Sequence, residues 1–459
     1  MAKTRDRFHL ISLGCSKNTV DSESMADKLA HAGFRSCEKA RQADIVIVNT
    51  CGFIGPAREE SIATLRELAQ AKRKGQLLIA AGCLSQRYGP QVVEWVPGVD
   101  GVIGTRRWMD IVDFVQRLRQ RGGPEPLYHL PESARTVGIT EPETQWSAVQ
   151  GVSAYLKIAD GCRRPCAFCS IPLIKGTAVS RPLEALVAEA RDLRDQGVRE
   201  LILIAQDSTD YGYDLGLKDG LASLLEALVK AVPDIDWIRI MYAYPGCVSD
   251  RLIEVMASHK QVAQYLDIPL QHGNRDVLKA MKRPARVEWM YQTVEKMRSA
   301  MPDLAIRSTF IVGYPGEGEK EFESLLGFLR DIRFDRAGCF TFSFEPGTTS
   351  EPLGDPVPEE VKEERRERLM LLQQQISLEK NQHFLGKVLP VLVEGCGEGL
   401  SVGRSYRDAP EVDGLVIIEG EVPLGEMVPV SISGAMHYDL TGTVERSQSR
   451  VVNLLDSQA

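Results

Sequence analysis

The chain has 459 residues, 43% hydrophobic and 26% charged, a composition expected of a soluble globular protein long enough to bury several cores without disulfides. Its 55 Lys and Arg against 63 Asp and Glu give a formal charge of -8, which argues against a nucleic-acid coat or a basic membrane binder and is compatible with a basic macromolecular partner. No apolar run approaches the ~18 residues of a membrane span and residues 1–10 are too mixed for a signal peptide, so the expectation is a cytoplasmic protein with no membrane partner, whose 10 cysteines stay reduced and need another explanation.

The first segment, residues 8–130, alternates apolar runs with helical stretches. Residues 8–13, 44–49, 77–81 and 99–103 read as buried strands, with helices over about 20–32, 57–73 and 109–119. This rhythm predicts an α/β fold with a doubly wound parallel sheet. Residues 122–142, with Pro124, Pro126, Pro131 and Pro142, read as a linker.

The second segment, 148–378, repeats strand, loop and helix about six times. Its strands are predicted near 154–159, 200–205, 237–242, 265–270, 305–312 and 336–344. In the helix predicted over 182–196, Pro182 suits a first turn, Leu183, Leu186, Val187, Ala190 and Leu193 share a face, and Gly197 ends it. Repeated right-handed βα units curl into a barrel, and six units predict a partial one. Residues 359–384 read as a long polar helix, whose charged run 363–368 is expected to be a solvated face with local ion pairs. In the last segment, 381–450, short strands at 388–393, 415–418 and 427–432 with Gly and Pro punctuation predict a small OB-like β-barrel.

Chemistry concentrates in the cysteines. Cys162, Cys166 and Cys169 form a C-x3-C-x2-C loop just past the first strand of the second segment. Three thiolates on one tight loop can hold three irons of a [4Fe–4S] cluster. A fully protein-ligated cluster usually takes four, so one iron would stay open to a chelating ligand. Zinc loops more often pair two CxxC knuckles, or Cys with His, and no second knuckle follows; zinc and chance packing are the alternatives. Cys15, Cys51 and Cys83 each follow the carboxyl end of a predicted parallel strand, the edge where sites assemble in such sheets. They are expected to converge, with Gly14, Gly52 and Gly82 permitting close backbone approach. The alternative is three ordinary buried cysteines. Cys37, Cys247, Cys339 and Cys396 show no such pattern.

The motif Cys162-x3-Cys166-x2-Cys169 in a six-unit barrel resembles the radical S-adenosylmethionine (SAM) enzymes. Together with Cys15, Cys51, Cys83 and a terminal segment that resembles a TRAM domain, almost the whole chain is similar to the radical SAM methylthiotransferases. The strings at 12–18, 170–176, 205–209, 270–272, 403–405 and 408–414 resemble the branch acting on ribosomal protein S12. The resemblance implies two [4Fe–4S] clusters. Cys162, Cys166 and Cys169 would hold the one that cleaves SAM. Cys15, Cys51 and Cys83 would hold an auxiliary one carrying the sulfur that a second SAM methylates. The implied reaction is methylthiolation of the β-carbon of an aspartate in S12, free or in the small subunit, with a one-electron donor and a sulfur source as further partners. Related enzymes modify an adenosine in transfer RNA.

Candidate SAM contacts are graded by position. Phe168 could meet adenine through its backbone, or simply pack the loop. Gln206 and Asp207 end the second barrel strand and could bind the methionine or ribose part. Arg307 could pair with the SAM carboxylate or with a structural acid. Gly313, with Gly316 and Gly318, could let SAM approach the backbone or form only a turn. His272 is a pocket candidate or a satisfied structural histidine. From 380 to 459 there are six basic and eleven acidic residues, a net of -5, which favours a basic protein over RNA. Charge reversal at Asp408, Glu411 and Asp413 is therefore expected to weaken docking.

Overall fold

Ile45–Thr50, Ile-Val-Ile-Val-Asn-Thr, is buried at every position, as a strand covered on both faces must be. It lies inside a six-stranded, all-parallel sheet in the order Arg35–Ser36, Arg7–Ser12, Ile45–Thr50, Leu77–Gly82, Gly101–Gly104, Leu127–His129. The computed structural model describes residues 6–121, 123–131 and 144–445. Helices Ser16–His31, Gly55–Gln70 and Ile111–Gln120 connect the strands, and apolar clusters around Ile47 and Ile79 on one side and Val46 and Val48 on the other fill both faces. This is the expected doubly wound sheet. Its two outer strands, of two and three residues, are too short to show periodicity. Leu127–His129 falls inside the stretch read as a linker, so that reading fails there; 122 and 132–142 of it lie outside the described residues.

Strand register aligns the carboxyl ends. Ser12 stands opposite Asn49, and Thr50 opposite Gly82. The strands therefore end level, and the residues just beyond them leave at one edge. The strand order reverses between Arg7–Ser12 and its neighbours, which places a crevice at that edge.

The second sheet runs Arg336–Thr341, Ala305–Val312, Val262–Asp267, Trp237–Ile240, Glu200–Ile204, Ser153–Lys157, Ser147–Gln150. Six of these strands are parallel and in chain order, forming an open, partial barrel; the last pairs antiparallel with Ser153–Lys157. Leu186, Ala190 and Leu193 of helix Leu183–Asp195 enter the apolar core, and Gly197 follows at φ +89°. Helix Glu359–Gln382 departs from expectation at Arg365. Its guanidinium is buried and binds the Glu317 carboxylate at 2.8 Å, because buried Glu317 needs a cation. The neighbouring Arg366–Glu363 and Arg368–Glu319 pairs are solvated as expected.

The chain divides into two compact units, Met1–Gln373 and Gln374–Ala459. The second contains a closed five-stranded barrel of Val388–Gly397, Leu400–Ser405, Val416–Glu419, Leu440–Val444 and Met427–Ala435, in that spatial order. Two of its strands escaped sequence reading because their small residues hide the apolar alternation. A Cβ on Gly403 would sit 2.3 Å from the Leu392 carbonyl, and one on Gly442 2.3 Å from that of Ser431. Among the described residues no helix is long and apolar enough to cross a membrane.

Candidate functional site

Level strand ends bring the dispersed cysteines together. Gly14 has φ +94°, and a Cβ there would lie 3.1 Å from Cys51 Sγ. Gly82 also has φ +94°, and its Cβ would fall 2.7 Å from the Thr50 carbonyl. Only glycine fits both the dihedral and the space. Asn18 ties the three strand ends: its Nδ2 donates to Leu13 O at 2.9 Å and Thr50 O at 3.2 Å, and Cys83 Sγ lies 3.7 Å from its Oδ1.

The loop carrying Cys162, Cys166 and Cys169 faces this edge. Cys162 N donates to Gly176 O, Ala167 N to Met281 O, and Arg164 N points at Cys162 Sγ from 3.5 Å. Arg283 Nη1 reaches Cys166 Sγ at 3.4 Å. All six cysteines line one cleft of about 310 Å3, together with Lys17, Phe168, Lys175, Gln206, Asp207, Tyr242, Tyr244, Gln271 and Arg283.

The donor chemistry of the cleft suits clusters. Burial pushes the thiol pKa values up, Cys162 to about 11 and Cys169 to about 12, and those of Cys51 and Cys83 upward too. Lys175 opposes that rise at Cys83, and Arg283 at Cys169. These four thiols stay protonated and unreactive near neutral pH; a metal must displace the proton. Among the described residues no three His, Cys, Asp or Glu side chains converge on a single-ion position. A four-iron cluster, taking one thiolate per iron, asks for thiols set apart.

The cleft also suits a polar organic ligand. Gln206 Nε2 donates to Asp160 Oδ1 at 2.9 Å, which fixes the amide and leaves its Oε1 buried without a partner among the described residues. Among the described residues Gln271 Oε1 is likewise buried without a partner. Gln271 (φ +74°) and Tyr242 (φ +62°) hold strained left-handed backbone at barrel strand ends. The guanidiniums of Arg164 and Arg283 each lie 4.4 Å from the centroid of the Tyr244 ring.

Not every expected residue gathers here. Phe168, Gln206 and Asp207 line the cleft, but both Asp207 oxygens are engaged, by Arg164 Nε at 2.5 Å and by Thr209 N at 3.0 Å. Arg307 lies outside the lining and pairs with buried Asp267 at 2.9 Å, whose other oxygen receives the Tyr242 N–H. Gly313 and His272 both turn to Glu317 instead. Gly313 N donates to Glu317 Oε1 at 3.0 Å, and His272 Nε2 lies 3.2 Å from Oε2. Asn274 N donates to His272 Nδ1, so the ring proton belongs on Nε2: this is a satisfied structural histidine. Lys17, Lys175 and Gln271 sit inside the strings 12–18, 170–176 and 270–272, where nothing in the sequence set them apart from their neighbours. Tyr242, Tyr244 and Arg283 gave no sequence signal.

Three family models match: uncharacterized protein family UPF0004 at residues 7–104, the radical SAM superfamily at 156–329 and the TRAM domain at 385–444. The chain is 47% identical to ribosomal protein uS12 methylthiotransferase RimO of Chloroflexus aurantiacus, covering 95% of this chain and 99% of the relative. It is 46% identical to that of Roseiflexus sp. (95% and 96% covered) and 45% identical to that of Synechocystis sp. (94% and 96%). Among solved structures, the radical S-adenosylmethionine methyltransferase TsrM of Kitasatospora setae, with cobalamin and a [4Fe–4S] cluster bound, matches with TM-score 0.58 over 87% of this chain and 81% of that one. At 14% identity this likeness is one of fold.

Proposed function

This chain belongs to the family of ribosomal protein uS12 methylthiotransferases, and we propose that it replaces a hydrogen on the β-carbon of an aspartate in uS12 with a methylthio group. The observation that carries the reading is the meeting of two three-cysteine sets in one cleft. Cys162, Cys166 and Cys169 would hold one [4Fe–4S] cluster and Cys15, Cys51 and Cys83 the other. When bound, they supply reductive cleavage of SAM and the sulfur to be transferred, chemistry that needs no acid–base triad.

The chain's own residues bind and orient. Gln206 Oε1 and Gln271 Oε1 accept from the amino or hydroxyl groups of SAM, since both are buried acceptors without a donor among the described residues. Arg283 hydrogen-bonds the Cys166 sulfur and withdraws charge from it. Arg307 acts at one remove, through Asp267 and the Tyr242 backbone. The apolar wall with Phe168 keeps water from reactive species.

The second unit suits a basic protein partner. Arg404 is buried against Glu394, and Arg407 is buried beside Asn381 and over the Phe384 ring at 4.0 Å. Glu398, Glu411, Glu419, Glu421, Glu426 and Glu445 stay exposed, so the surface formed by its described residues is more acidic than their composition. Asp408 does not belong to that surface: it is buried, and its carboxylate accepts from the Ser405 hydroxyl at 2.9 Å. Asp413 accepts from Ala409 N at 2.9 Å. Reversal at these two would break the loop rather than probe docking. Reversing Glu411, Glu419 and Glu421 together should weaken uS12 binding roughly tenfold at low salt and less at high salt. Titration at two ionic strengths checks this, and equal affinity for both proteins would remove the acidic surface from recognition.

The reading itself is tested with reconstituted protein, SAM, a one-electron reductant, purified uS12 and bulk transfer RNA. Mass spectrometry should find the methylthio group on uS12 alone. A methylthio-adenosine with unmodified uS12 would overturn the substrate.

A further inference from the structure

We propose that Lys17 is the specificity residue that receives the carboxylate of the target aspartate; this rests on the function proposed above. Lys17 lines the cleft that the two cysteine sets share and is only 8% exposed. It sits in the first turn of helix Ser16–His31, where the helix dipole disfavours a cation. Its Nζ lies 2.9 Å from the centroid of the Tyr242 ring, and among the described residues it makes no ion pair.

The other cations of the cleft are engaged. Lys175 binds Asp21 and Asp160, and Arg164 binds Asp207 and Asp210; Arg283 has no carboxylate partner among the described residues, but its two terminal nitrogens are held by Pro269 O and the Cys166 sulfur at the other cysteine set. A mostly buried lysine without a counter-ion is costly, and an aromatic face returns only about 1–2 kcal/mol of that. The cleft therefore offers a partly desolvated, unpaired positive charge to an incoming anion. An aspartate side chain supplies that anion, with its β-carbon one bond from the carboxylate. Anchoring the carboxylate on Lys17 holds that carbon inside the cleft, and an uncharged asparagine would leave the ammonium unpaired.

The competing role is support of the auxiliary cluster, since Cys15 is two residues away. Reconstituted full-length wild type, Lys17→Met and Lys17→Arg separate the two. Each is assayed for iron content and for KM on uS12 carrying either aspartate or asparagine at the target position. Wild type should prefer aspartate strongly. Lys17→Met should keep wild-type iron, raise KM for the aspartate substrate about 30-fold or more, and lose most of the preference over asparagine. Lys17→Arg should retain that preference. An unchanged KM and preference in Lys17→Met would refute the proposal. So would iron loss in Lys17→Met with the preference intact in the remaining loaded enzyme, which would assign Lys17 to the cluster. Wild type that modifies neither substrate would instead sink the functional reading on which the proposal rests.

Discussion

Replacing Cys15, Cys51 and Cys83 together with alanine should remove about half of the bound iron and abolish methylthiolation while SAM is still cleaved to 5′-deoxyadenosine. The two cysteine sets belong to different elements. Cys15, Cys51 and Cys83 leave the first sheet at level strand ends, whereas Cys162, Cys166 and Cys169 ride a loop held by Gly176 O and Met281 O. Loss of three sulfurs at the first edge leaves every hydrogen bond of that loop in place. The stability cost is small, about 1 kcal/mol for each buried thiol, because Asn18 still ties Leu13 to Thr50. Cys162→Ala, Cys166→Ala and Cys169→Ala combined should give the complementary result, the other half of the iron lost together with SAM cleavage. Iron analysis and chromatography of the nucleoside product read both. Full iron in the first triple variant would return Cys15, Cys51 and Cys83 to ordinary packing.

These expectations trace how far the sequence was readable. Buried parallel strands such as Ile45–Thr50 announce themselves as continuous apolar runs, and cysteines just past three of them fall at one edge by topology alone. The loop motif was legible because its spacing is local. What resisted was anything set by long-range complementarity. Gly313 and His272 looked like site residues, yet Glu317 takes both, and that buried carboxylate needs Arg365 from a helix 48 residues away. Arg283, which reaches the Cys166 sulfur, and Tyr242 and Tyr244 stand in no motif; only the folded barrel places them in the cleft. Asp408, Arg404 and Arg407 counted equally as surface charges in the sequence, but the small barrel buries all three.

Asp21→Asn should be strongly destabilising, because Asp21 belongs to a buried set of two cations and two carboxylates. Lys157 Nζ meets Asp21 at 2.5 Å and Asp160 at 3.4 Å, and Lys175 Nζ meets Asp21 at 3.1 Å and Asp160 at 3.0 Å, with every side chain at most 2% exposed. Asp21 comes from helix Ser16–His31 beside the first sheet; Lys157 ends strand Ser153–Lys157 of the second sheet, Asp160 lies in the short strand Ala159–Asp160 and Lys175 ends helix Ile171–Lys175. The substitution leaves two buried ammoniums facing one carboxylate, which costs about 3–5 kcal/mol and should lower the Tm by roughly 5–10 °C. Adding Lys157→Met to Asp21→Asn removes the surplus charge, so the double variant should be more stable than the single one. Additive losses would mean that the four groups do not act as a set. The pH dependence has a defined sign. Burial opposes ionisation of Asp160, but Lys157 and Lys175 outweigh it and hold its pKa well below the usual carboxylate range. Its contribution is therefore complete above about pH 4 and is lost as the pH falls toward the depressed folded value. Burial likewise opposes the charge on Lys175, and Asp160 and Asp21 outweigh it and raise its pKa. That contribution is complete below about pH 10 and is lost as the pH rises beyond it. Wild type should keep this stabilisation throughout the interval between, and the deficit of an Asp160→Asn variant should shrink at the acidic end, where wild type loses the same carboxylate charge by protonation. A deficit of Asp160→Asn that stays constant from pH 7 down to acid unfolding would show that Asp160 contributes through packing and not through its charge.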